Sequence, residues 1–216
     1  YVLCQKLSDS PDVAGNEQRP HSMSSSIKVG ILALQGAVAQ HEEKLNALGA
    51  ASIQVRTKAE LKDIAGLIMP GGESTAMIHL LKNQDMWDDL KEFSHKRPVW
   101  GICAGSILLA KSIAQSPQDS LGAIDIEVAR NAYGRQIDSF IDELTSTPDW
   151  NEAPERTEGV FIRAPKIEKI GPNCRVLWCH DDKPVMIREK NVLVSTFHPE
   201  LSPSLCFHRY FLQSLF

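Results

Sequence analysis

Short apolar runs alternate with stretches of helical spacing from Ile27 to Cys103, and this alternation limits the possible folds more than any other feature. It predicts an α/β fold, with a mostly parallel central sheet and helices on both faces. The apolar runs are IKVGILALQG (27–36), ASIQV (51–55), GLIMP (66–70) and PVWGIC (98–103). The helical stretches are VAQHEEKLNALG (38–49), ESTAMIHLLKN (73–83), MWDDLKEFSHK (86–96) and SILLAKSIA (106–114).

After residue 120 the apolar segments become shorter, which predicts strands that pair as hairpins beside the main sheet. The loop-like stretch STPDWNEAPERTE (146–158) is rich in proline and charge, so we expect it to be exposed. A final amphipathic helix is predicted over PSLCFHRYFLQSLF (203–216). The predicted strands are AIDIEVAR (123–130), GRQIDSF (134–140), GVFIRAP (159–165), CRVLWCH (174–180), PVMIRE (184–189) and NVLVSTF (191–197).

One domain is expected over residues 27–216, because a chain of 216 residues with 43% hydrophobic content has enough apolar side chains for one sizeable core. Residues 1–26 mix serine, proline, amides and charged residues without any period. We expect a disordered leader or a non-native added segment there, with Met23 as a candidate native start.

Charge and cysteine content narrow the functional classes. The formal net charge is −4 and no block of like charge is present, so neither a nucleic-acid partner nor a membrane partner is expected. The sequence has no membrane-spanning run and no secretory signal, and we expect a cytoplasmic protein. Five irregularly spaced cysteines without a CxxC pair predict free thiols and no metal site. Nucleotide-binding glycine motifs are also missing from the sequence, and no cofactor is expected.

Cys103 is the candidate nucleophile. It stands in Gly101-Ile102-Cys103-Ala104-Gly105, between a predicted strand and a predicted helix, which is the G-x-nucleophile-x-G form of a strand-to-helix elbow. Glycines on both sides leave room for a tight turn, and a helix N-terminus favours the thiolate. A lone cysteine is more often an ordinary buried residue, but the glycines and the junction favour a nucleophile here.

His198 and Glu200 are the candidate base and its orienting carboxylate. They follow a predicted strand as His198-Pro199-Glu200, and residues i and i+2 of an extended segment point to the same side. The proline is expected to keep the segment extended, so that the carboxylate holds the imidazole in one tautomer. His180, which precedes Asp181 and Asp182, is a weaker competitor.

The segment Pro70-Gly71-Gly72-Glu73-Ser74-Thr75 follows the third predicted strand and opens a helix. Ligands of open α/β sheets bind at the carboxyl ends of strands, so this loop and the Cys103 elbow are expected to share one crevice. We expect the N–H groups of the two glycines and of Ala104 to stabilise a developing oxyanion. A simple glycine turn is the alternative for this segment.

The motifs PGGEST, GICAG and FHPEL, taken in this order, resemble those of class I glutamine amidotransferases. Three further segments, GILALQGAVAQH, ARNAYGRQIDSF and GVFIRAP, resemble those of the glutaminase subunits of pyridoxal 5'-phosphate synthases. The resemblance implies a flavodoxin-like domain, L-glutamine as the substrate and Cys103, His198 and Glu200 as a catalytic triad. It also implies that glutamine is held by Gly71, Gly72, Glu73, Arg130, Ile162 and Arg163.

The resemblance further implies hydrolysis of glutamine to glutamate and ammonia through a thioester on Cys103. The ammonia would pass to a separate ring-forming pyridoxal 5'-phosphate synthase subunit. Two alternatives remain: a glutaminase subunit of another ammonia-transferring synthase, and a catalytically silent regulatory subunit. We also expect partner docking near Gln35-Gly36-Ala37 to act on the Gly71-Gly72 loop, because both follow strands of the same sheet.

Overall fold

The computed structural model describes residues 28–130 and 139–213. Strands and helices follow one another along both ranges. The strands are β1 (Lys28–Leu32), β2 (Ala51–Val55), β3 (Gly66–Met69), β4 (Val99–Ile102), β5 (Ala110–Ile113), β6 (Ile124–Ala129), β7 (Ser139–Ser146), β8 (Arg156–Ile162), β9 (Lys166–Ile170), β10 (Arg175–His180), β11 (Lys183–Glu189) and β12 (Val192–Ser195). The α-helices are α1 (Val38–Ala47), α2 (Ser74–Asn83), α3 (Trp87–Lys96), α4 (Ala104–Leu109) and α5 (Cys206–Gln213). Short 3-10 helices cover Glu60–Asp63 and Pro199–Leu201.

Three sequence expectations fall partly or wholly outside the described residues. These are the leader over residues 1–26, most of the strand over 134–140 and the last three residues of the helix over 203–216.

The main sheet has nine strands in the order β2-β1-β3-β4-β12-β11-β10-β7-β8. The five strands from β2 to β12 are parallel, and the remaining pairings are antiparallel. The parallel half contains strands such as GLIM, VWGI and VLVS, in which every residue is buried. Such strands require cover on both faces. The predicted α/β class is confirmed, and the antiparallel extension makes the sheet mixed.

Helices cover both faces of the parallel half. On one face, α2, α3 and α4 contribute apolar residues such as Met77, Leu90 and Leu108 to one core cluster. On the other face, α1 and α5 contribute Leu45 and Phe207 to a second cluster. The longest helices have 10 residues, and within the described ranges none is long and apolar enough to cross a membrane.

A small second sheet departs from the predicted secondary structure. The helix predicted over 106–114 ends at Leu109, and β5 continues the chain as a strand paired in parallel with β6. Ala110 and Ile113 are buried while Lys111 and Ser112 are exposed, a spacing typical of a helix, yet the backbone pairs with β6, with a register shift between Ala110 and Ser112. The third strand, β9, was not predicted from the sequence. Most of its residues are exposed, and it therefore has little of the apolar pattern that identifies a strand.

The loop between β7 and β8 also differs from expectation. The predicted loop over 146–158 is shorter in the structure, because Arg156 already belongs to β8. Its Trp150 is buried, with its ring 4.5 Å from that of Tyr210 and 5.2 Å from that of Trp178. The stretch is polar enough to predict an exposed loop, yet one large aromatic residue anchors it to the core.

Candidate active site

Cys103 occupies a strained turn between β4 and α4. Its backbone has φ 49° and ψ −103°, a region that residues other than glycine rarely adopt. The turn is held at both ends: the Cys103 N–H donates to the Ser195 carbonyl oxygen at 2.8 Å, and the Ser106 hydroxyl donates to the Cys103 carbonyl oxygen at 2.6 Å. A methyl group on Gly105 would collide with the Met69 carbonyl oxygen, so the second glycine is required. The predicted elbow is present.

His198 and Glu200 form a buried hydrogen-bonded pair directly after β12. His198 Nδ1 lies 2.7 Å from Glu200 Oε1, and the two residues are 9% and 4% exposed. The segment is not extended as expected. Pro199 begins a 3-10 turn, in which the Leu201 N–H donates to the His198 carbonyl oxygen at 3.2 Å. Proline is compatible with the first position of a helical turn, and this turn still leaves the carboxylate against the imidazole.

The surroundings of this pair favour its charged form. Burial lowers the pKa of His198, but its interactions with the Cys103 thiol and the Glu200 carboxylate outweigh burial and raise that pKa. For Glu200, burial raises the pKa, and the hydrogen bond to His198 and the nearby imidazoles reverse the shift and lower it. A positive charge beside a thiol favours the thiolate, which is the nucleophilic form of cysteine. The site can therefore hold an activated nucleophile.

The Gly71-Gly72 loop lies against Cys103 and His198. A methyl group on Gly71 would come within 2.6 Å of His198 Cε1 and 3.4 Å of Cys103 Cβ, so only glycine leaves the imidazole in place. Gln35, which follows β1, reaches the same loop: its Oε1 accepts a hydrogen bond from the Glu73 N–H at 3.0 Å. The segment after β1 therefore contacts the loop after β3, as their positions in the sequence indicate.

Glu73 and Arg130 face each other at the rim of the site. Arg130 Nη2 lies 3.0 Å from Glu73 Oε1, and the Glu73 carboxylate also accepts hydrogen bonds from the N–H groups of Thr75 and Ala76 at the start of α2. Burial alone raises the pKa of Glu73, but these hydrogen bonds and Arg130 lower it below its usual value. Glu73 therefore presents a negative charge, and Arg130 presents a positive charge, beside the Cys103 elbow.

One pocket, with a volume of about 270 Å³, brings most of the predicted residues together. Gly71 packs against Cys103 and His198, which line the pocket, and Glu200 lies behind His198. Arg163 adopts a positive φ of 43° immediately after β8, a strained backbone that frequently occurs at functional sites. The pocket is lined by the predicted residues Gly72, Glu73, Cys103, Ala104, Arg130, Ile162, Arg163 and His198, together with Ser74 and Ile107.

Gln118 is a site residue that the sequence analysis missed. Its Oε1 accepts hydrogen bonds from Arg130 Nη1 at 2.6 Å, from the Ser74 hydroxyl at 3.2 Å and from the Thr75 hydroxyl at 3.3 Å. It therefore connects Arg130 to the start of α2. No short motif surrounds Gln118, because its partners lie 12 to 44 residues away in the sequence.

The competing residues lie elsewhere. His180 Nε2 is 3.0 Å from Asp142 Oδ2, and its ring packs against Phe140 and Phe161 on the antiparallel side of the sheet. Of the cysteines in the described ranges, Cys103 is the one that lines the pocket, and all four are free thiols. Within these ranges no group of three or more His, Cys, Asp or Glu side chains is arranged to hold a metal ion.

The parallel sheet, the cysteine elbow and the His–Glu pair define the class of Cys-His-Glu glutamine amidotransferases. A model of the SNO glutamine amidotransferase family matches residues 31–216, and the chain belongs to this family. The chain is 47% identical over 190 residues to the pyridoxal 5'-phosphate synthase subunit PdxT of Solibacter usitatus, covering 87% of this chain and 99% of the relative. It is 46% identical over 186 residues to the protein of the same name from Fervidobacterium nodosum, covering 86% and 95%.

Solved structures agree with this assignment. A crystal structure of a glutamine amidotransferase matches with a TM-score of 0.79 and 40% identity, over 87% of this chain and 98% of the other. The structure of PurLQS from Thermotoga maritima matches with a TM-score of 0.62 at 16% identity, over 88% and 97%, and this likeness concerns the fold alone. The predicted amidotransferase fold and class are confirmed.

Proposed function

We propose that this chain is the glutaminase subunit of a pyridoxal 5'-phosphate synthase. It hydrolyses the side-chain amide of L-glutamine and supplies the ammonia to a separate synthase subunit. The observation that carries the proposal is the 2.7 Å His198–Glu200 pair in the pocket of the strained Cys103 elbow. The names of the PdxT relatives support the synthase assignment.

In the first step, the Cys103 thiolate attacks the side-chain carbonyl carbon of glutamine. A carbon–sulfur bond forms, and the carbonyl electron pair moves to the oxygen. The tetrahedral intermediate collapses when the His198 imidazolium gives its Nε2 proton to the amide nitrogen, which leaves as ammonia. A γ-glutamyl thioester remains on Cys103. Glu200 stays ionised and stabilises the imidazolium throughout, as the carboxylate of a triad does.

In the second step, neutral His198 takes a proton from water, and the resulting hydroxide attacks the thioester carbonyl. The carbon–sulfur bond breaks, glutamate leaves and the thiolate–imidazolium pair is restored. The Ala104 N–H, directly after the nucleophile, and an N–H of the Gly71-Gly72 loop stabilise the oxyanion of both steps. One such donor contributes about 10²–10³ in turnover.

Charge complementarity explains how glutamine is selected. The α-ammonium of a bound glutamine needs an anion, and its α-carboxylate needs a cation with several N–H donors. Glu73 and Arg130 supply these charges at the rim of the pocket, and Arg163 adds a second cation. In the substrate-free chain Glu73 and Arg130 neutralise each other at 3.0 Å, and glutamine binding would redistribute these contacts.

Partner docking is expected at Gln35-Gly36-Ala37, because Gln35 already contacts the loop that carries an oxyanion donor. A docked synthase could set the orientation of the Gly71-Gly72 peptide and receive ammonia before water protonates it. Ala37→Arg should weaken stimulation by the partner and leave the slow labelling of Cys103 by a glutamine-analogue electrophile unchanged. Gln35 is a less selective position for this test, because its side chain also holds Glu73.

Glutamate release by the full chain tests the proposal. The purified chain is incubated with L-glutamine alone, with a pyridoxal 5'-phosphate synthase subunit, and with the synthase subunit of another ammonia-transferring enzyme. We expect the pyridoxal 5'-phosphate synthase subunit to give the highest rate. Equal stimulation by the unrelated subunit would contradict the pathway assignment, and no release under any condition would indicate a catalytically silent subunit.

A further inference from the structure

The carboxylate of Glu200 has a second oxygen that the triad does not use. Oε1 faces His198, whereas Oε2 is buried and has no hydrogen-bond partner among the described residues. His41 Nε2 lies 3.6 Å from Oε2, and it is also buried and without a hydrogen-bond partner among the described residues. Two complementary polar atoms, both fully shielded from water, therefore face each other. Leaving such a pair unsatisfied is costly.

His41 is itself held by a second buried histidine. His41 Nδ1, on α1, lies 2.9 Å from His208 Nε2, on α5, and neither residue is exposed to solvent. Burial lowers the pKa of His41 to about 4, although Glu200 partly opposes the shift. Burial also lowers the pKa of His208 well below its ordinary value. Both rings are therefore neutral at neutral pH, and each carries a single ring N–H.

Only one placement of the ring N–H hydrogens of His41 and His208 is consistent with their contacts. Across the 2.9 Å contact one ring must donate and the other accept. If His41 donated from Nδ1, its Nε2 lone pair would face the Glu200 carboxylate, which is repulsive. With the hydrogen on Nε2, His41 donates toward Glu200, and His208 donates from its Nε2 to His41 Nδ1. His208 Nδ1 lacks a partner within the described ranges in either case, so Glu200 decides the tautomer.

We propose that His41 is a positioning residue of the active site: its Nε2–H, fixed by His208, faces Glu200 Oε2 and holds the carboxylate that orients His198. This inference rests on the proposed glutaminase function and concerns the same site. The chain of contacts runs from Cys103 through His198, Glu200 and His41 to His208. His41 does not touch the substrate, and its effect on turnover passes through Glu200.

Helix α1, which carries His41, also lies next to the segment that contacts the Gly71-Gly72 loop. The helix begins at Val38, directly after the segment whose Gln35 side chain holds the Glu73 N–H, and His41 lies one turn further on. One helix and the segment before it therefore contact both the oxyanion loop and the orienting carboxylate. A shift of α1 would change these two parts of the site together.

Kinetics of paired variants test the proposal. In the presence of the synthase partner, His41→Leu should lower kcat for glutamate release about tenfold, the size expected when an N–H donor that faces a buried charged carboxylate is removed. KM for glutamine should change little, because His41 does not line the pocket. His41→Gln retains an N–H donor and should recover part of the loss. The matched control is His180→Leu, another buried histidine next to a carboxylate, which should keep the wild-type kcat.

The pH dependence of kcat in His41→Leu distinguishes a positioning role of His41 from a general structural effect of its replacement. The charged or titratable groups around His41 are Glu200 and His198, which follow β12, His208 on α5 and Lys44 on α1 itself. Loss of the His41 donor destabilises the Glu200 anion. The acid limb of kcat should therefore move to higher pH in His41→Leu. A uniform loss of activity at all pH values, or a wild-type kcat, would overturn the proposal.

The tautomer provides a test that does not depend on activity or on a variant that folds. Long-range ¹H–¹⁵N correlation spectra of the histidine-labelled full chain should show the Nε2–H tautomer for both His41 and His208 at neutral pH. An Nδ1–H tautomer at His41 would overturn the proposal. If the wild-type chain released no glutamate, the glutaminase function would fail instead, and the tautomer result would still be interpretable.

Discussion

His198 and His180 are both buried and both lie against a carboxylate, but the two pairs differ in their surroundings. His198 lies beside Cys103 at the end of the parallel strand β12, and the side chain of its partner Glu200 is fully buried. His180 lies on the antiparallel side, packs against aromatic rings, and has Asp142 as a partner whose side chain is 56% exposed. Water screens the second pair but not the first. The proposed catalytic pair therefore differs from the His180 pair in its buried carboxylate and in the thiol beside its imidazole.

Of the changes considered for the two histidine sites, replacing the Cys103 thiol beside His198 should have the largest effect on glutamate release. Cys103→Ala should lower glutamate release about 10⁶-fold, because the covalent pathway is lost while the pocket remains. Cys179→Ala, beside His180 in the sequence, should retain full activity. Rates measured with the synthase partner, together with circular dichroism to verify folding, would check both variants. Comparable losses in the two variants would remove the distinction between the two histidines.

Replacing the two carboxylates tests the comparison directly. Glu200→Gln should lower kcat about 10³–10⁴-fold with glutamine binding retained, because the imidazolium loses its counter-charge and the wrong tautomer becomes accessible. Asp142→Asn is the matched change at His180 and should leave kcat unaltered. If Asp142→Asn were the more damaging change, the orienting carboxylate would have been assigned to the wrong histidine.

Replacing Gln118 should have a smaller effect, on glutamine binding. This change tests substrate recognition separately from the chemistry of the His198–Glu200 pair. Gln118→Ala removes the acceptor that holds Arg130 at 2.6 Å, and KM for glutamine should rise roughly tenfold with kcat nearly unchanged. Gln84→Ala replaces an exposed glutamine at the end of α2 and should have wild-type kinetics. A loss confined to kcat would instead place Gln118 in the catalytic step.

The smallest expected effect is on stability as a function of pH. The pKa of Glu200 is lowered on folding, so its contribution is present above its unfolded-state pKa, about 4.3, and is lost as pH falls through the folded pKa. The pKa of His198 is raised, so its contribution is present below about 6.5 and is lost as pH rises through the folded pKa. Urea unfolding should therefore show wild type exceeding Glu200→Gln by about 1–3 kcal/mol between these values, with less outside them. A difference independent of pH would contradict the charged pair.

The parts of the site that could be predicted are those whose chemistry is local in sequence. The Cys103 elbow lies within five residues, and His198 and Glu200 lie within three, so short-range geometry defines them. Even there the backbone differed from expectation: the segment after His198 is a 3-10 turn and not extended, although the side chains still meet. The parallel half of the sheet was predicted for the same reason, since its buried strands are short continuous apolar runs.

The parts that could not be predicted depend on long-range contacts. Gln118 and the His41–His208 pair acquire their partners only when distant elements pack together, with 167 residues separating the two histidines. The segment that forms β5 has helical spacing, because its buried residues Ala110 and Ile113 are three positions apart and a regular strand would place them on opposite faces. Pairing with β6 decides between helix and strand, and that information is not local.

We expect Cys103, activated by the buried His198–Glu200 pair, to carry the γ-glutamyl group during turnover. Acid quenching of the chain and its synthase partner during steady-state hydrolysis of isotope-labelled glutamine, followed by mass spectrometry of the peptides, tests this directly. The labelled γ-glutamyl group should be found on the Cys103 peptide and not on the Cys179 peptide. Turnover without acylation of Cys103, or label on another residue, would contradict the assignment of Cys103 as the nucleophile.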